Sequence, residues 1–319
     1  MAKALNILIV HGIGWGEQGK NYARSLQQNI GREFERAVRR LRLRDVDKRD
    51  ALAKRALRFE AAYWSPVTQD PQNALLDLLK LRGFRPLNAL NLTFQARKQL
   101  VSLLGDVITY EGGEEDRVYK AIHDRVDSSV RALSEQSAHD QDDHGYAPLT
   151  IIGHSLGSVI ASDYVWDHTR GAAEPHHLPG HSLSLKNLIL LGSPMALYAL
   201  RNNPSADKRT LADSLDSPVR VDPDGGLWLN LYDRQDPIAF PLRPIKSYAD
   251  VGVIDYTVQS GNWLTSWNIA SHNEYWNSDE VSRAVAHKLA LDWAGLNSPS
   301  FAGDTYRKAV DQFRKTLGK

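Results

Sequence analysis

The chain has 319 residues, 39 Lys and Arg against 38 Asp and Glu, and no cysteine. Disulfide staples, thiol catalysis and thiolate metal centres are thereby excluded. A net charge of +1 supplies no overall field to gather nucleic acid or an anionic membrane, and no apolar run approaches bilayer-spanning length. One α/β domain over residues 1–319, with a large core, is the simplest organisation for this length. The first element, Leu5-Asn6-Ile7-Leu8-Ile9-Val10, reads as a short buried strand and runs straight into His11-Gly12-Ile13-Gly14. A strand starting at residue 5 leaves no room for a signal peptide, so a cytoplasmic location is expected.

Next, Leu26, Ile30, Phe34, Val38 and Leu41 recur at helical spacing. They predict an amphipathic helix leading into a basic stretch with Arg39, Arg40, Arg42 and Arg44. Glu33, Glu35, Asp45, Asp47 and Asp50 dilute that charge, so a solvated face is expected rather than a nucleic-acid or phospholipid surface. A second strand is expected near 57–63. Residues 71–105 are leucine-rich and interrupted by Gly83 and Pro86, which predicts short helices. They read as a cap or lid over a site, or as a helical layer of the core. A helix is expected from about Asp116 to Ser134. The histidines at 139 and 144, and at 176, 177 and 181, lie in polar stretches that read as solvated loops rather than metal sites.

The most informative segment comes next. Pro148-Leu149-Thr150-Ile151-Ile152 predicts a buried strand, and Ser158 to Val165 carries apolar residues at helical spacing. Between them lies Gly153-His154-Ser155-Leu156-Gly157. Strand, glycine-flanked turn and helix are the context of a G-x-S-x-G nucleophile elbow. The turn lifts the Ser155 hydroxyl above the sheet edge, with a helix N-terminus behind it to favour developing negative charge. Acyl transfer passes through a tetrahedral oxyanion that needs backbone N–H donors. Leu156, after the nucleophile, and Ile13, after His11-Gly12, are the candidates.

On His11-Gly12-Ile13-Gly14 and Gly153-His154-Ser155-Leu156-Gly157 the chain resembles the α/β-hydrolase superfamily of serine esterases and lipases, from residue 5 to about 290. The resemblance implies a mostly parallel sheet between helical layers and a triad in the order nucleophile, acid, histidine. It departs from the full pattern by starting at the oxyanion-loop strand, which implies a reduced sheet with strands near 5–10, 57–63, 148–152, 187–192, 227–232 and 252–258. For the acid, the strand Leu227 to Tyr232 is followed by Asp233 and by Asp236-Pro237. Asp236 matches the family's loop better, with Asp233, Asp222, Asp224 and Asp250 as alternatives. For the histidine, His272 lies in a loop before a long helix expected over Glu280 to Trp293. The other histidine after Asp236, His287, falls inside that helix. His11 and His154 are expected to be structural, orienting the loops they sit in.

The triad so implied is Ser155, Asp236 and His272, with Ile13 and Leu156 as oxyanion donors and no cofactor or metal. The expected reaction is hydrolysis of small to medium uncharged carboxylic esters, on a small-molecule ester or lipid substrate. A lipase or lipid deacylase, or a thioesterase or acyltransferase, uses the same machinery. A binding protein on a silent fold is the reading outside catalysis. Dehalogenase and epoxide-hydrolase chemistry would need a carboxylate at position 155. Trp15, Trp263, Trp267 and Trp276, with Tyr275, either line an apolar pocket or pack the core.

Overall fold

The computed structural model describes residues 2–12, 17–68, 110, 117–142, 144–202, 219–260 and 271–318. Ile13, Trp15, Trp263 and Trp267, and the leucine-rich stretch 71–105 expected as a cap or lid or as a helical layer of the core, lie outside the described residues.

Among the described residues, six strands form one sheet: β1 (Leu5–Val10), β2 (Leu57–Ala62), β3 (Ala147–His154), β4 (Leu183–Leu191), β5 (Leu227–Tyr232) and β6 (Ile254–Thr257). Their order is β2-β1-β3-β4-β5-β6, and every neighbouring pair is parallel. A parallel sheet is covered on both faces, which is why its central strands β1, β3 and β5 read as mainly apolar runs, while the edge strand β2 is mostly half-buried and carries Arg58 and Glu60. Alternate residues divide between two cores. Leu5, Ile7, Ile9, Leu227, Leu229 and Leu231 face one, and Leu8, Val10, Leu149, Ile151 and Trp228 face the other.

The first face is covered by helices Glu17–Leu41, Asp279–Asn297 and Asp304–Leu317. The sequence stripe Leu26, Ile30, Phe34 and Val38 is buried there, each side chain contributing about 2 kcal/mol of hydrophobic stabilisation. Phe34 meets the ring of Trp293 edge-on, with centroids 6.2 Å apart. Helix Asp304–Leu317 was not among the elements expected from the sequence. It packs Tyr306, Val310, Phe313 and Leu317 onto this core.

The second face carries helices Arg117–Gln136 and Leu156–Thr169. The latter is buried on every side from Leu156 to Ala161. A helix apolar all round belongs inside a protein rather than on its surface.

The order of the strands decides where a ligand can sit. The chain steps outward from β1 to β2, then returns across β1 to build β3, β4, β5 and β6 in sequence. Connections leave β1 and β3 in opposite directions, opening a crevice between their carboxyl ends. Ligands of open parallel sheets bind at such a switch point. Among the described residues, no helix is long and apolar enough to cross a membrane.

Candidate active site

β1 and β3 run in register, with Val10 beside Gly153. The residues that follow, His11-Gly12 and His154-Ser155, therefore emerge side by side above the sheet. Their approach is close. A Cβ on Gly12 would stand 2.5 Å from the Ser155 Cβ, and one on Gly157 would stand 2.3 Å from the carbonyl oxygens of Val10 and His11. Only glycine lets the two loops meet.

Ser155 itself is strained, at φ 54° and ψ −132°. For a residue with a Cβ, this conformation costs about 1–3 kcal/mol and persists only where its surroundings over-determine it. They do so here. The Ser155 N–H donates to the Leu191 carbonyl at the end of β4 (3.0 Å). Its carbonyl accepts from the Ser158 hydroxyl at 2.5 Å, and Ser158 is in turn 2.6 Å from Ser193 Oγ. Leu156 begins the helix, so its N–H is one of the first four, which have no intrahelical acceptor. The second oxyanion candidate, Ile13, lies outside the described residues.

Three loops converge on the serine. His272 sits in a short 3-10 turn, Ser271–Trp276, just before helix Asp279–Asn297. That helix is started by the Ser278 hydroxyl, which accepts from the Val281 N–H. His272 Nε2 is 2.7 Å from Ser155 Oγ, and His272 Nδ1 is 2.7 Å from Asp236 Oδ2. The carboxylate can only accept, so Nδ1 carries the proton and Nε2 is left to accept from the serine hydroxyl. Ser155, Asp236 and His272 are all buried.

Asp236 comes from the loop after β5. Its Oδ1 accepts the Ile238 N–H at 2.9 Å. The competing aspartate, Asp233, faces elsewhere. Its carboxylate accepts the Ser260 N–H and hydroxyl (2.8 and 3.0 Å) and the Gln235 N–H (2.9 Å), so it ties loops together. His287 lies in helix Asp279–Asn297 against Phe313, with centroids 4.8 Å apart.

His11 and His154 are both buried, and burial holds both rings neutral. The His11 pKa falls from 6.5 to about 4 and that of His154 to about 3. His11 Nδ1 donates to the Gly12 carbonyl (2.5 Å) and its ring stacks on Trp64 at 5.5 Å. The Trp64 indole N–H donates to the His11 carbonyl at 2.7 Å. His154 Nε2 donates to the backbone carbonyl of His272 at 2.7 Å.

Trp276, a pocket candidate in the sequence, belongs to the core and packs its ring 4.8 Å from that of His154. Tyr275 is fully buried and lies against Asp236: its hydroxyl is 3.1 Å from Asp236 Oδ2. Sequence reasoning offered Tyr275 only as a pocket or core residue. The one available signal was its place three residues after His272.

Among the described residues, no group of three or more His, Asp or Glu side chains is arranged to hold a metal ion. Two of the loop histidines have other contacts: His181 Nε2 lies 2.9 Å from Asp127, and His177 stacks on Tyr146 at 3.8 Å. No family model, curated protein or solved structure matches the chain.

Proposed function

We propose that the chain is a serine hydrolase of α/β-hydrolase type that cleaves carboxylic esters through an acyl-enzyme. One observation carries the reading: the continuous hydrogen-bonded line Ser155 Oγ, His272 Nε2, His272 Nδ1, Asp236 Oδ2, drawn from the separate loops after β3, β5 and β6, with Ser155 at the switch point of the sheet. Nucleophile, base and orienter in mutual contact is the arrangement by which such chemistry is recognised, whatever the order along the chain.

In the proposed cycle His272 takes the Ser155 proton as the hydroxyl oxygen bonds to the ester carbonyl carbon. General-base assistance of this kind is worth about 10²–10⁴ in rate. Negative charge develops on the former carbonyl oxygen. Leu156 N–H, at the positive end of its helix, supplies one donor to it, and Ile13 N–H is assigned the other. As the tetrahedral intermediate collapses, His272 returns the proton to the leaving alcohol. Asp236 keeps the imidazole in the reactive tautomer and stabilises the imidazolium. Water then attacks the acyl-enzyme, losing its proton to His272, and Ser155 recovers that proton as the acid departs.

The test is hydrolysis of p-nitrophenyl esters from short to long acyl chains by the wild type and by Ser155→Ala. Turnover that disappears in the variant supports the reading. Turnover that survives in it removes Ser155 from the chemistry. The chain-length profile separates a small-ester hydrolase from a lipid deacylase.

A further inference from the structure

We infer that Tyr275 is a positioning residue for Asp236, holding the carboxylate so that one chosen oxygen faces His272. Its bearing on turnover rests on the serine-hydrolase reading; the hydrogen-bond arrangement itself does not.

The donor assignment follows from what each partner can do. The Asp233 N–H lies 2.7 Å from the Tyr275 hydroxyl oxygen, and a backbone N–H can only donate. An ionised carboxylate can only accept. The single phenolic proton is therefore committed to Asp236 Oδ2, at 3.1 Å. That oxygen also receives the His272 Nδ1–H, while Oδ1 receives the Ile238 N–H. Three donors in three directions leave the carboxylate no other orientation, although the terminal torsion of an aspartate is otherwise broad.

The turn that carries His272 explains how the phenol gets there. In a 3-10 helix, side chains at i and i+3 eclipse one another. His272 and Tyr275 stand in that relation within Ser271–Trp276, and both reach the same carboxylate oxygen. Burial and the charge of Asp236 push the Tyr275 pKa upward, so the phenol keeps its proton while the site works. One side chain thus ties the histidine turn to the β5 loop at two points, the Asp233 N–H and the Asp236 carboxylate.

Losing the phenolic donor has two consequences. The carboxylate gains freedom to turn, and it becomes a stronger base toward the imidazole. Around His272 the other facing groups are His154 on β3, held neutral by burial, and Ser155; Asp233 is occupied by Ser260 and Gln235.

The experiment compares wild type, Tyr275→Phe, Asp236→Asn and the double variant in the full chain. For Tyr275→Phe we expect kcat to fall by about 10- to 100-fold with KM nearly unchanged, the size of effect that a misplacement near 1 Å produces. The acid limb of the kcat/KM profile should move to higher pH. In the Asp236→Asn background the same change should cost little more, because the two act as one unit. Losses that multiply in the double variant, or a Tyr275→Phe enzyme that is less stable yet has unaltered kcat and pH profile, would overturn the proposal. Proton NMR of the His272 Nδ1–H is read in parallel and requires no turnover. A downfield resonance that shifts in Tyr275→Phe supports the bond even if no ester is cleaved, and one that does not move refutes it.

Discussion

His154 Nε2 donates to the backbone carbonyl of His272 across 2.7 Å, joining residues 118 positions apart in the chain. The residue immediately before Ser155 thus holds the backbone of the histidine that contacts Ser155. Ser155 and His272 keep their separation because β3 and the histidine turn are joined directly, rather than only through the long connections between them.

Replacing His154 by Leu removes that donor while leaving Ser155 and Asp236 in place. Turnover is expected to drop by about 10- to 100-fold, since reacting groups displaced by an ångström lose that much. His154→Gln, which still offers an N–H, should recover part of the loss. Steady-state kcat and KM for both variants check this, with KM nearly constant.

The same burial makes the fold sensitive to acid. His11 and His154 titrate near 4 and 3 when folded, against 6.5 in the unfolded chain. Between those values the unfolded state binds more protons, so stability is fully present above pH 6.5 and is lost as pH falls toward 3. Each ring contributes on the order of a few kcal/mol at the acid end. Urea midpoints measured from pH 7.5 to 4 should decline, and His154→Gln should flatten the slope.

Asp236 and Asp233 are separated by three positions but by a clear difference in role. Asp236→Asn should lower kcat by about 10⁴-fold with little change in unfolding, as when a triad acid is neutralised. Asp233→Asn should leave kcat nearly intact and lower stability, because the carboxylate that receives both Ser260 donors is lost. The opposite pattern in paired kinetic and thermal measurements would exchange the two assignments.

On helix Glu17–Leu41, Phe34 is fully buried and meets Trp293 of helix Asp279–Asn297 edge-on. Phe34→Ala should cost about 3–5 kcal/mol of folding stability through lost transfer energy and the cavity left behind. Chemical denaturation measures this directly.

Much of this architecture is written in the chain. β1, β5 and the elbow strand are buried on both faces, so each is mainly apolar, with a single polar residue (Asn6, Asn230 and Thr150) inside its run, and is easily seen. The start of β4 is not. Ser184, Lys186 and Asn187 interrupt its pattern, yet Lys186 pairs with Asp222, and Asn187 bonds to Thr150 and Asp292 inside the protein. Polar residues whose partners come from distant segments look like loop in one dimension. Helix Asp304–Leu317 shows the converse, for its apolar spacing was present at Tyr306, Val310, Phe313 and Leu317. At the site, Ser155 and His272 could be read from local pattern and order. The contact of Tyr275 with Asp236 could not, because it exists only once the β5 loop meets the histidine turn.

If Ser155 is an activated nucleophile, as proposed, the intact mass of the protein after treatment with a fluorophosphonate reports it. The wild type should gain one phosphonyl adduct, mapped to Ser155 by peptide mass, and Ser155→Ala should gain none. His272→Ala, lacking the base, should label far more slowly. A wild type that stays unlabelled, or an adduct that persists in Ser155→Ala, would mean that Ser155 is not the nucleophile.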